Sequence, residues 1–126
     1  MRQVVDASAL LAYLLDEPGG EQVGDEDGPL CLSSVNLAEV LTRSVNRGLG
    51  ADDVMRVLKR LPIEHVDYAR DDAARTAALR PSTRRQGLSL GDRACLALAQ
   101  RLMLPVLTAD KAWADLDLGL DVRLIR

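Results

Sequence analysis

Apolar residues occur in short blocks set apart by stretches with helical spacing. Five blocks read as strands: Arg2 to Val5, Pro29 to Leu32 (PLCL), Ile63 to Val66, Pro105 to Thr108 (PVLT) and Asp121 to Ile125 (DVRLI). Helices are predicted between them. The first covers Ala9 to Leu15 with Ser8 as its cap, and it is apolar on every side, which predicts burial. The next starts at Ser33 or Ser34 and runs to about Asn46, with Gly48 as its stop and Leu37, Leu41 and Val45 as its stripe. A third opens at Asp52-Asp53, carries the stripe Val54, Val57, Leu58 and Leu61, and is broken by Pro62. Further helices are predicted over Asp71 to Leu79 and Asp92 to Met103, and one or two turns over Lys111 to Leu116. The stretch Glu21 to Gly28 is acidic and broken by glycine, and its pattern assigns no element. RPSTRRQGLSLGDR reads as a basic, turn-rich connector.

Short apolar strands alternating with helices predict an α/β domain with a parallel sheet. A length of 126 residues predicts one domain over 1–126. Such sheets bind ligands beyond the carboxyl ends of their strands, and Asp6 and Asp110 both fall at that edge.

Composition narrows the chemistry. The only aromatics are Trp113, Tyr13 and Tyr68, so a row of stacking rings for nucleic acid is not expected. Cys31 and Cys95 form no CxxC and read as buried thiols in a reducing compartment. His65 is the single histidine, which nearly excludes zinc sites of His and Cys. It also excludes a Ser-His-Asp triad unless His65 is the base, and the alternation IEHVDY reads it as an exposed strand residue. The longest apolar run, Ala9 to Leu15, is too short to span a membrane, and Asp6 interrupts any signal-peptide core. A cytoplasmic location is expected.

Most of the 19 acids have ordinary roles. Asp52, Asp53, Asp71 and Asp72 sit in first turns of helices, where they favour the dipole, and Asp16, Glu17 and Asp25 to Asp27 lie in loops. All of these read as solvated surface. Asp6 stands out inside VVDASALLAYLL: it either caps the following helix or belongs to a site, and its surroundings raise the cost of ionisation. Asp92, in GLSLGDRACLALA, shares a helical face with Cys95, Leu96, Ala99 and Met103, and Ser89-x-x-Asp92 also reads as a capping box. Asn36-x-x-Glu39 reads as another capping box, with Glu39 off the apolar stripe. Asp110 reads as an N-cap, with Asp115 and Asp117 as nearby competitors.

Taken together, VVDASALLAYLLDEPG, SSVNLAEVLTR, GLSLGDRACLALAQRLMLPVLTADKAW and DVRLIR resemble PIN-domain ribonucleases, specifically VapC-type toxins of toxin–antitoxin pairs. The resemblance follows the family's order and covers most of the chain. It implies a three-layer fold with a central parallel five-stranded sheet flanked by helices. It carries the family's four acidic positions onto Asp6, Glu39, Asp92 and Asp110, and places Ser8 and Thr108 near the metal site. It implies a type II toxin acting as an endoribonuclease that leaves 5′-phosphate and 3′-hydroxyl ends, a cognate antitoxin and a homodimer. Relatives have a longer helix where this chain has the acidic stretch Gly20 to Gly28.

Oxygen ligands without His or Cys select Mg²⁺, with Mn²⁺ as a substitute. Asp6, Asp92 and Asp110 are the expected metal ligands, and Glu39 completes the shell or orients the attacking water. The net charge of −3 argues against a nucleic-acid partner, but with those four acids neutralised the other groups carry +1. Arg80, Arg84, Arg85 and Arg93 lie within fourteen residues, and Arg43, Arg47 and Lys111 flank the other acids. Arg84, Arg85, Arg93 and Lys111 are the expected contacts to RNA, from charge alone. Two other readings compete: a receiver-like signalling module, and a degenerate, catalytically inactive PIN domain that only binds its partner. Asp6 followed by Ala7 lacks the acidic pair a receiver needs.

Overall fold

The structure is a computed structural model and describes residues 1–24 and 28–126. The reading of Asp25 to Asp27 as loop acids lies outside the described residues. Five strands form one parallel sheet: β1 (Gln3–Val5), β2 (Leu30–Ser33), β3 (Ile63–Val66), β4 (Val106–Thr108) and β5 (Val122–Leu124), in the order β3-β2-β1-β4-β5. β1 pairs with β2 and β4 at once, Val4 lying opposite both Cys31 and Val106.

The sheet divides the core in two. Successive side chains point to opposite faces of a strand. Val5, Leu30, Leu32 and Leu107 enter one cluster, and Val4, Cys31 and Val106 enter the other. Four helices cover the first face: α1 (Ala7–Leu14), α2 (Gly20–Gly24), α3 (Ser34–Asn46) and α4 (Ala51–Leu58). On the second face α7 (Leu90–Leu102) lies with Trp113, and α5 (Arg70–Ala78) packs against α7. Trp113 belongs to a 3₁₀ segment, Lys111–Asp115. The result is the expected three-layer α/β fold. No helix is long and apolar enough to cross a membrane among the described residues.

Several local expectations change. α1 starts at Ala7, so Asp6 holds the N-cap position and Ser8 falls inside the first turn. The Ser8 hydroxyl donates to Asp6 and accepts from the Ala109 amide across the strand ends. The acidic stretch after α1 begins as α2, where Gly20 lets the two helices meet: a Cβ there would overlap the Ala12 carbonyl. The basic connector opens with a short helix, α6 (Arg80–Thr83). The buried face of α3 is Asn36, Val40 and Ser44, and Val45 is 52% exposed. Ser44 satisfies itself by donating to the Val40 carbonyl at 2.8 Å. Asp72 is buried, not solvated, with Arg101 at 3.2 Å, Arg75 at 3.4 Å and the Ala69 amide donating at 2.8 Å.

Met103 does not join the buried face of α7 either; it is 88% exposed. It ends the helix in the left-handed region, φ 56° and ψ 46°, turning the chain toward β4 while the Leu104 amide donates to the Ala99 carbonyl. Glycine is the usual residue for such a helix end because a Cβ is strained there. Met103→Gly is therefore expected to raise stability by about 1 kcal/mol, read as a higher urea midpoint. A lower midpoint would show that this turn carries no strain.

Candidate active site

The order of the sheet reverses at β1 and β4, and a crevice opens beyond the carboxyl ends of those two strands. Asp6 follows β1 and Asp110 lies two residues beyond β4. Asp92 sits in the first turn of α7, and Glu39 projects from α3. All four line one cleft of about 370 Å³, together with Ser8, Ser89, Arg43 and Arg126. The four acids that the sequence singled out are therefore brought together.

Asp6 is the most buried of them, 2% exposed. Its Oδ2 accepts from the Ser8 hydroxyl at 2.6 Å and the Thr108 hydroxyl at 2.9 Å. Each hydroxyl has a single proton and spends it on Asp6, so the 3.2 Å approach between Ser8 and Thr108 adds no further bond. The hydroxyls in turn accept from the backbone, Ser8 from the Ala109 amide at 2.9 Å and Thr108 from the Asp110 amide at 3.1 Å. This network ties the end of β1 to the end of β4. Burial pushes the Asp6 carboxyl up to about 6; the negative charges of Asp92 and Glu39 add to that, while the two hydroxyls oppose it.

Each of the other acids is held by one oxygen. Asp92 Oδ2 accepts from the Ser89 amide at 3.0 Å, and Ser89 Oγ accepts from the Asp92 amide at 3.1 Å, which is the expected capping box. Asp110 Oδ1 accepts from the Ala112 amide at 3.0 Å, the expected N-cap. Glu39 Oε1 accepts from Asn36 Nδ2 at 2.8 Å. Here the capping-box expectation fails, because Ser33 is the N-cap of α3 and accepts from the Val35 amide. Asn36, inside the helix, uses its amide on Glu39 instead.

The second oxygen of each acid (Oδ1 of Asp6 and Asp92, Oδ2 of Asp110, Oε2 of Glu39) takes no hydrogen bond among the described residues. Four anchored carboxylates with one oxygen each to spare form an all-oxygen donor set, which fits a hard divalent cation. As the side chains stand, no three His, Cys, Asp or Glu among the described residues are grouped closely enough to hold an ion. Cys95 is fully buried, and burial, with the charges of Asp6, Asp92 and Glu39, pushes its thiol up, which disfavours a thiolate there.

The expected RNA contacts fare differently. Ser8 and Thr108 are at the site, spent on Asp6. Arg84, Arg85 and Lys111 are exposed and do not line the cleft. Arg93 turns away from it, donating from Nη1 to the Thr76 carbonyl at 3.1 Å. Charge in the sequence did not reveal direction, and the helical turn that aims Asp92 at the cleft aims Arg93 at α5. The cations on the cleft wall are Arg43, flagged as a neighbour of the acids, and Arg126, which the sequence reading missed. Arg126 is held by Pro18, whose carbonyl accepts from its Nη1 at 2.9 Å. Asn36 was also missed; a polar residue on the buried face of α3 was the available signal.

A family model described as "PIN domain" matches residues 4–118. No curated protein sequence matches the chain. Among solved structures, a toxin–antitoxin complex from Klebsiella pneumoniae contains a chain with TM-score 0.72 and 21% identity, covering 90% of this chain and 91% of its own. A sarcin–ricin-loop-cleaving VapC toxin of Mycobacterium tuberculosis gives TM-score 0.73 at 13% identity, covering 93% and 97%. A Mycobacterium tuberculosis member of the VapBC family of toxin–antitoxin systems gives TM-score 0.64 at 25% identity, covering 99% and 98%.

Asp6 binds its proton more tightly folded, near pH 6, than unfolded, near ~4. In the metal-free protein its contribution to stability is intact below about pH 4 and lost as pH rises through 6. Asp6→Asn keeps an acceptor for both hydroxyls and removes the charge. In EDTA it is expected to gain up to ~3 kcal/mol at pH 7.5 and little at pH 4, read by urea unfolding. Equal stability of the two proteins at pH 7.5 would show that ionising Asp6 costs nothing.

Proposed function

The chain belongs to the PIN domain family, and from that premise we propose that it is a metal-dependent endoribonuclease, the toxin of a type II toxin–antitoxin pair. The observation that carries the reading is the convergence of Asp6, Glu39, Asp92 and Asp110 on one cleft at the strand ends. A receiver-like module is disfavoured by topology: such modules order their strands 2-1-3-4-5, whereas this sheet runs 3-2-1-4-5 and leaves β3 at an edge.

Asp6, Asp92 and Asp110 would hold Mg²⁺ or Mn²⁺, with water between. When bound, such an ion supplies positive charge to the phosphate and lowers the pKa of nearby water. The residues of the chain do the rest. Ser8 and Thr108 fix one oxygen of Asp6, so that the other stays toward the cleft. Glu39 orients the attacking water. Arg43 and Arg126 receive the RNA backbone beside four negative groups that would otherwise repel it. In this proposal the exposed Arg84, Arg85 and Lys111 contact RNA outside the cleft.

The proposed partner is a small antitoxin protein, with the toxin itself a dimer. Beside Glu39, a groove between α3 and the start of α7 is lined by Val35, Ala38, Thr42 and Leu90, a surface suited to a partner segment that blocks the site.

The test is cleavage of RNA with Mg²⁺ by the full chain, with product ends mapped. Asp6→Asn and Asp92→Asn are expected to fold and to lose cleavage by more than ~100-fold, beyond the loss from a merely supporting residue. EDTA is expected to abolish cleavage and added Mn²⁺ to restore it. Full activity in either variant, or cleavage that persists in EDTA, defeats the proposal.

A further inference from the structure

We propose that Asn36 and Gly91 are positioning residues that together form the seat of the Glu39 carboxylate. The activity readouts of this inference rest on the nuclease reading above; its structural readout does not.

Asn36 is fully buried, 0% exposed. Its amide nitrogen has two protons and spends both: one on Glu39 Oε1 at 2.8 Å, the other on the Gly91 carbonyl at 3.0 Å. One side chain thus joins Glu39 on α3 to the first turn of α7, the turn that carries Asp92. The cost is visible on the other side of the amide, where Asn36 Oδ1 is buried with no partner. The amide at this position sets two hydrogen bonds and a fixed place for Glu39 against an unmet acceptor. Without it, Glu39 would reach water, and the Gly91 carbonyl would still face the Cys95 amide along α7.

Gly91 supplies the other half. Its backbone is helical, without the positive φ that calls for glycine. Glycine inside a helix costs about 1 kcal/mol relative to alanine. What the missing side chain provides is space. A Cβ at Gly91 would overlap both oxygens and the carboxyl carbon of Glu39. The carboxylate therefore lies directly on the Gly91 backbone, with Asn36 gripping one oxygen. The overlap would fall on the far end of a flexible side chain, so a methyl group there displaces Glu39 and leaves the helix intact.

That separation of stability from placement defines the test. Gly91→Ala, Asn36→Ala and Glu39→Gln are compared with wild type by thermal unfolding in EDTA, by calorimetric Mn²⁺ titration and by steady-state RNA cleavage. Gly91→Ala is expected to unfold at or above the wild-type temperature, because alanine is the better helix former. Its kcat is expected to fall about 10–100-fold, as for loss of a supporting residue at a metal site, with KM unchanged and Mn²⁺ affinity lowered. Asn36→Ala should match that loss. In a Glu39→Gln background Gly91→Ala should remove nothing more, since both act through one carboxylate. Wild-type kcat and Mn²⁺ affinity in Gly91→Ala and Asn36→Ala overturn the proposal. If wild type itself neither binds Mn²⁺ nor cleaves RNA, the nuclease reading fails separately. The crystal structure of Gly91→Ala then decides the seat: a displaced Glu39 carboxylate supports it, and one in its wild-type place overturns it.

Discussion

The cost of gathering negative charge governs this structure. Two ionised carboxylates ~4 Å apart repel by about 4 kcal/mol at an effective dielectric near 20. Four acids share one cleft, one of them nearly closed off from water, and their charges oppose one another unless donors or cations answer them. Burial does most to push the Asp6 carboxyl up to about 6, and the charges of Asp92 and Glu39 add to it. The protein answers those charges in part: every one of the four carboxylates has an oxygen anchored by an N–H or O–H donor. The remaining oxygens leave a demand for positive charge that a divalent ion can meet.

For Asp92 and Asp110 the fold supplies those donors through helix starts. Asp6 stands at the N-cap position of α1, Asp92 in the first turn of α7 and Asp110 at the N-cap of the 3₁₀ segment. Unpaired amides and the helix dipole favour negative charge at such positions. A parallel sheet collects them because each strand hands over to its helix at the same edge. Capping and ligand placement are therefore not rival explanations for these acids. At Asp92 and Asp110 the hydrogen bond that starts the helix also fixes the orientation of the carboxylate, whereas Asp6 makes no side-chain cap bond and is fixed by the Ser8 and Thr108 hydroxyls. Glu39 lies inside α3 away from any terminus and is held by a side-chain amide.

Much of this was legible in the sequence, for reasons that also mark the limits. The strand block PLCL was clear because a buried parallel strand is a short apolar run bounded by turn residues, and IEHV was clear from the alternation of a half-buried edge strand. Asp6 was clear because no other charged residue interrupts VVDASALLAYLL. Glu39 was carried by family resemblance alone: its surroundings on α3 fit an exposed position, and only Asn36, read as a cap, hinted at a partner. Helix rotation was misjudged where polar residues are buried, as at Ser44, whose hydroxyl bonds its own helix and needs no water. Direction of long cations could not be read at all. Arg93 follows Asp92 immediately, yet it serves α5, while Arg126 reaches the cleft from the far end of the chain.

Placement of a divalent ion by anomalous diffraction from crystals grown with Mn²⁺ bears most directly on this account. The account predicts a single strong peak, or a close pair, among the carboxylates of Asp6, Asp92 and Asp110, with waters filling the shell. Manganese found only at surface acids such as Asp52 or Asp121, with that cleft empty at saturating concentration, would contradict it.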